Sequence, residues 1–167
     1  NDDINTKSNY VSIMNYAFGY LLFSAFLFST AINAQDKNEE VLTWSADKKL
    51  TWADYKAKPD PRSDAAASTT TYLSIEYNIN NKGFGYKIQS RFSKTRSWGL
   101  HKTPYILRHE QGHFDIAEIF ARKLHKKLNE YKFNKKTYQK DLQKIYEDIT
   151  KEKSDTQNEY DRQTNHS

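Results

Sequence analysis

The spacing of apolar residues changes once along this chain, and the change sets what it can fold into. Before Pro104 the apolar residues alternate. Leu73, Ile75, Tyr77 and Ile79 are interleaved with Ser74, Glu76 and Asn78. After the turn signal Asn80-Asn-Lys-Gly83 the alternation resumes with Phe84, Tyr86, Ile88 and Phe92. A period of two gives a strand one apolar face, and two such runs around an Asn/Gly turn predict a β-hairpin. Val41-Leu-Thr-Trp44 and Leu50-Thr-Trp52 read as shorter strand runs around the polar turn Ala46-Asp-Lys-Lys49, and Lys58 to Asp64 reads as a loop. After Pro104 the period becomes helical. Ile106, His113, Ile116, Ala117, Phe120, Leu124 and Leu128 fall within about 120° of a helical wheel. No Gly or Pro interrupts Phe114 to Asn134, so a helix of about 28 residues is expected. Residues 136 to 159 predict a second helix with the stripe Tyr138, Leu142, Ile145, Ile149 and Thr156. The expected fold is α+β: a small antiparallel sheet packed on a long two-helix hairpin.

A different pattern precedes the strands. Lys7 and Asp36 bracket an uncharged run, residues 8 to 35, in which Tyr16 to Ala34 is almost wholly apolar. Leu21 to Phe28 forms its densest part, and small residues follow at Ser29, Ala31 and Ala34. This predicts a signal peptide region over residues 1–34, with Met14 as its start and cleavage after Ala34 or Ala31. Export, either secreted or periplasmic, follows. Left uncleaved, the 16–34 segment is long enough to anchor the chain in a membrane. Residues 35–167 then form a single domain. The first residue is Asn and the last ones read as mid-motif, so a chain clipped at its ends is expected.

Composition removes several classes of function. There are no cysteines, which excludes a disulfide scaffold, a CxxC redox site, a Cys-ligated zinc finger and a Cys nucleophile. The net charge is +5, but the lysines are spread along mixed-charge helices and no nucleic-acid-binding motif appears, so no nucleic-acid partner is expected.

The chemistry lies in the first helix. His109-Glu-Gln-Gly-His113 is an HExxH motif. Spacing of i, i+4 puts both imidazoles on one helical face, where they can share a zinc ion. Glu110 then stands beside the open position of the metal, placed to take a proton from zinc-bound water. A catalytic zinc needs a third protein ligand. Glu118 lies about 180° away around the helix and His125 about 18 Å along it from His113, so neither reaches. His101, in the loop before the helix, is one candidate. His166 is favoured, because an antiparallel return around Asn134 brings Tyr160 to His166 alongside the HExxH turns. On the same returning stretch, Asp161 is expected to orient a ligand imidazole and Tyr160 to donate to a developing oxyanion.

Three stretches together resemble a bacterial family called domain of unknown function 922, described as predicted secreted zinc-dependent proteases. They are Leu50-Thr-Trp-Ala-Asp-Tyr55 with Ala65-Ala-Ala67, Ser97-Trp98 leading to His109-Glu-Gln-Gly-His-Phe-Asp-Ile-Ala-Glu118, and Tyr160-Asp-Arg-Gln-Thr-Asn-His166. The resemblance covers about residues 41 to 167. It implies His109 and His113 as zinc ligands, Glu110 as catalytic, and Tyr160, Asp161, Thr164 and His166 as linked to the site. The resulting expectation is a secreted zinc metallopeptidase of zincin-like fold acting on peptide or protein substrates. The rival expectation is a non-catalytic zinc-containing envelope or binding module.

Overall fold

The computed structural model describes residues 11–12, 39–80 and 83–164. Its strands are β1 (Val11–Ser12), β2 (Val41–Thr43), β3 (Ala67–Ser68), β4 (Thr71–Asn80), β5 (Gly83–Ser93) and β6 (Trp98–Gly99). Two helices follow, α1 (Pro104–Glu130) and α2 (Tyr138–Thr164). The larger sheet is antiparallel with strand order β1-β4-β5-β2, and β3 pairs with β6 in a second, two-stranded sheet. The fold is therefore α+β with a small antiparallel sheet and two helices, as the change of period predicts. The apolar 16–34 segment lies outside the described residues, and of the 1–34 region read as a signal peptide only β1 is described. Among the described residues no helix is long and apolar enough to cross a membrane.

The hairpin has the expected register. Leu73 faces Ser90, Ile75 faces Ile88 and Tyr77 faces Tyr86, so one face of the β4–β5 pair presents the alternating apolar set to the helices. Leu73 and Ile75 pack with Phe120, Ala121, Leu124 and Leu128 of α1 and with Leu142, Tyr146 and Ile149 of α2. The Tyr146 hydroxyl, buried in this core, donates to the Leu73 carbonyl at 2.7 Å, so the phenol's polar end is satisfied. A second cluster joins Leu50, Tyr55 and Phe92 to Phe114, which lies just after the HExxH turn.

One expected strand is replaced. Leu50-Thr-Trp52 enters a short 3-10 turn, Trp52–Asp54, instead of a strand. The Asp54 carboxylate accepts from Thr51 N at 2.9 Å and from the Thr51 hydroxyl at 2.8 Å, which closes the turn locally. The Leu50 amide, which a ladder would have used, goes instead to Gln111 of α1. The second helix also outruns its expected end, continuing through Thr164.

Candidate metal centre

Helix α1 starts where the sequence says it should. Thr103 caps it by accepting from Ile106 N at 3.2 Å, and Pro104 occupies the first turn, where it needs no amide partner. Its rotation is fixed from the sheet side. Gln111 accepts from Leu50 N at 2.8 Å and donates to Asp115 at 2.8 Å, and Trp44 Nε1 donates to the same Asp115 oxygen at 2.7 Å. With Gln111 and Asp115 turned toward β2 and the loop after it, His109 and His113 turn toward α2.

There the two imidazoles meet Asp161. His113 Nε2 lies 2.9 Å and His109 Nε2 3.2 Å from Asp161 Oδ1, and the two Nε2 atoms are 3.1 Å apart. Ligand atoms held at about 2.0–2.1 Å by one tetrahedral metal stand about 3.3 Å from each other, close to this triangle.

The outer hydrogen bonds say what these atoms carry. Gln157 Nε2 donates to the His113 carbonyl at 3.1 Å, which fixes the amide's orientation and turns its oxygen to His113 Nδ1. That oxygen can only accept, so His113 holds its proton on Nδ1. Thr164 Oγ1 donates to the Tyr160 carbonyl at 2.7 Å, so at 3.1 Å it accepts from His109 Nδ1. Both imidazoles therefore aim lone pairs from Nε2 at the same point as a carboxylate oxygen. Three acceptors converge, and a cation would satisfy them. The chemistry of the set, two nitrogens and one oxygen, suits zinc or a similar divalent ion.

Glu110 sits beside this trio at 4% exposure. Burial pushes its carboxyl up from the ordinary glutamate range, with a further push from Asp161; the Thr69 hydrogen bond and His113 act the other way. Its Oε2 is buried and without a hydrogen-bond partner among the described residues. The Thr69 hydroxyl, which acts on the Glu110 carboxyl, lies 2.8 Å from the Tyr55 hydroxyl. Burial pushes that phenol up as well, so it stays protonated. An open cleft of about 1170 Å³ runs from the trio past Thr69, Trp98 and Lys153.

The structure sorts the residues expected at this site. It brings His109, Glu110, His113 and Asp161 together. Asp161 stands among the acceptor atoms themselves, whereas the sequence reading had it orienting an imidazole; Gln157 and Thr164 hold the imidazoles instead. His166, the favoured third ligand, lies outside the described residues. His101 is exposed in its loop and outside the converging group. Tyr160 is placed differently from an oxyanion donor. Its ring stacks on His109 with centroids 4.8 Å apart, and its hydroxyl donates to the His109 carbonyl at 3.2 Å. Glu118 pairs with Arg122 and His125 packs on the Tyr86 ring, both away from the site. Sequence reasoning passed over Gln157, Thr69 and Lys153. Gln157 and Lys153 have a legible signal, since with Asp161 they form an i, i+4, i+8 row on the returning helix; Thr69 has none.

Gly112 has a packing role. A Cβ there would lie 2.3 Å from the Tyr160 hydroxyl oxygen and 2.6 Å from the carbon bearing it. The close approach of α2 to the HExxH turn depends on the missing side chain.

Comparison with known families matches residues 30–167 to the family described as bacterial protein of unknown function (DUF922), and the chain belongs to it. No curated protein and no solved structure matches the chain.

Proposed function

We propose that this DUF922 member is an exported, zincin-like, zinc-dependent metallopeptidase that hydrolyses peptide bonds in a peptide or protein substrate. The observation that carries the reading is the convergence of His109, His113 and Asp161 beside a buried glutamate, one of whose oxygens has no hydrogen-bond partner among the described residues. His109, His113 and Asp161 would hold the ion. A bound zinc supplies a Lewis acid that polarises a carbonyl and lowers the pKa of nearby water toward neutrality. The chain's own residues supply the rest. Glu110 is the general base, taking the proton at its unpartnered Oε2, and burial raises its affinity for that proton. Thr69 steadies Glu110 from within the cleft. Gln157 and Thr164 keep both imidazoles in the tautomer that leaves Nε2 as a ligand. The export part of the proposal rests on the apolar 16–34 segment, and the zincin-like part on an HExxH helix packed beside an antiparallel sheet.

The test is Glu110→Gln in the zinc-loaded full chain, with metal content and peptide hydrolysis measured together. Metal should be retained and the rate should fall about 10²–10⁴-fold. A variant that keeps both its zinc and its full rate would overturn the mechanism. Bound zinc with no hydrolysis by the unmodified chain would favour the non-catalytic module.

A further inference from the structure

The cleft holds a cation that no carboxylate pairs among the described residues. Lys153 lies on α2 two helical turns before Asp161, with Gln157 midway between them. Its half-buried side chain lines the same cleft as His109, Glu110, His113 and Asp161. Its ammonium donates to the Thr71 carbonyl at 3.1 Å, and no carboxylate reaches it among the described residues. The neighbouring charges are matched otherwise. Lys151 pairs with Asp155, Lys123 with Glu152 and Arg96 with Glu39. Glu147, also on the cleft wall, accepts from the Gln143 amide. An ammonium has three donors, and a neutral carbonyl satisfies one without balancing the charge. Burial alone drives the Lys153 pKa down to about 8, with no carboxylate acting to raise it. Such an arrangement is stabilised by an anion arriving in the cleft.

We propose that Lys153 is a carboxylate-binding subsite of the metal cleft, so that the substrate carries a carboxylate two or three residues from the bond at the His109–His113–Asp161 trio. The spacing follows from the helix. Eight residues of α2 separate Lys153 from Asp161, about 12 Å along the axis, and the lysine side chain spans part of that distance. An extended peptide covers the remaining distance, on the order of 10 Å, with about three residues at roughly 3.3 Å each. The carboxylate is either the chain terminus of the peptide or an acidic side chain. The inference rests on the peptidase reading for its term "substrate", while the subsite itself is a binding property.

The experiment measures binding to the full chain, metal-stripped and zinc-loaded, by NMR titration. The probes are an acetylated tetra-alanine free acid, its C-terminal amide, and an amide carrying Glu at the third residue. The free acid should bind about 10-fold or more tightly than the plain amide, in the metal-stripped protein as well. Lys153→Met should abolish that preference and Lys153→Arg should retain most of it, with circular dichroism confirming that both fold. If the Glu-bearing amide recovers the affinity, an acidic side chain is the source; if it does not, the terminus is. Equal binding of acid and amide to the wild-type chain, including no binding of either, overturns the proposal, as does a preference that survives in Lys153→Met. A carboxylate preference without hydrolysis would refute the peptidase reading and leave the subsite standing. Hydrolysis without the preference would do the reverse.

Discussion

Replacing Gly112 with Ala sets two effects of opposite sign against each other. In a helix interior the change should stabilise by about 1 kcal/mol, because Ala loses less backbone entropy than Gly. Here the new methyl would sit 2.3 Å from the Tyr160 hydroxyl oxygen, about 1 Å inside ordinary contact. If Tyr160 swings away, it gives up the hydrogen bond to the His109 carbonyl and the stack on the His109 ring. Each is worth about 1 kcal/mol. If Tyr160 stays, α2 must move out and take Asp161 with it. The variant should therefore be less stable by a net of about 1 kcal/mol in urea unfolding, and it should bind zinc more weakly in chelator competition. In a Tyr160→Ala background the obstruction is gone, and the same Gly112→Ala change should turn stabilising by about 1 kcal/mol. Equal stabilisation in both backgrounds, with zinc affinity unmoved, would refute the claim that this glycine exists to admit the second helix.

Three further outcomes are expected. Asp161→Asn keeps the shape but removes the negative charge from the converging trio, and zinc affinity should fall by at least about 10²-fold; an unchanged affinity would hand the third position to another residue such as His166. Thr164→Val removes the acceptor from His109 Nδ1, so chelator competition should show a loss of about 10–100-fold in zinc affinity, and a change under twofold would reject the tautomer argument. Lys153 bears on stability as well as binding. Its folded pKa is held near 8, below the unfolded value of about 10.4, so between those pH values the unfolded chain binds more protons and wild-type stability rises with pH. Lys153→Met should therefore be the more stable protein at pH 7, by on the order of 2–3 kcal/mol, with the gap closing between about pH 8 and 10; a gap that stays flat over that range would be inconsistent with a desolvated ammonium.

What could be read in the sequence and what could not divide along physical lines. Periodicity is a property of one segment, so the β4–β5 hairpin and both helices were visible from the residues alone. The HExxH pair needs only helical spacing, and the level at which α2 passes it needs only an antiparallel return. Which side chain of α2 arrives is a matter of phase. Asp161 and His166 are five residues apart, about 140° around a helix, so both cannot face the histidines while the chain stays helical. Counting residues from the turn leaves an error of a few positions, and at 100° per residue that error spans every face. The Leu50–Trp52 stretch failed for another reason. Its β-like composition is local, but Asp54 and Gln111 take the amides of Thr51 and Leu50, and neither competitor is legible from strand propensity. The role of Gly112 depends on a residue 48 positions away, a distance at which no local pattern operates.

The buried residues of α2 are Leu142, Tyr146 and Ile149, all in its first half. From Thr150 onward the helix is docked by the Tyr160 ring on His109 and otherwise through polar contacts: Lys153 to Thr71, Gln157 to His113, Thr164 to His109, and Asp161 among the imidazoles. An ion shared between α1 and α2 would thus act as a clasp on a segment that hydrophobic burial does not hold. Mass action then ties the docking of this half-helix to the free metal concentration, adding about 2.7 kcal/mol at a hundredfold excess over the dissociation constant. Without the ion, a proton shared between the imidazoles and Asp161 is what remains at that contact, and the last turns of α2, which carry a residue needed to bind metal again, should loosen before its apolar half. Metal supply would then set how firmly one end of the protein is closed, in a fold whose other end is held by apolar burial.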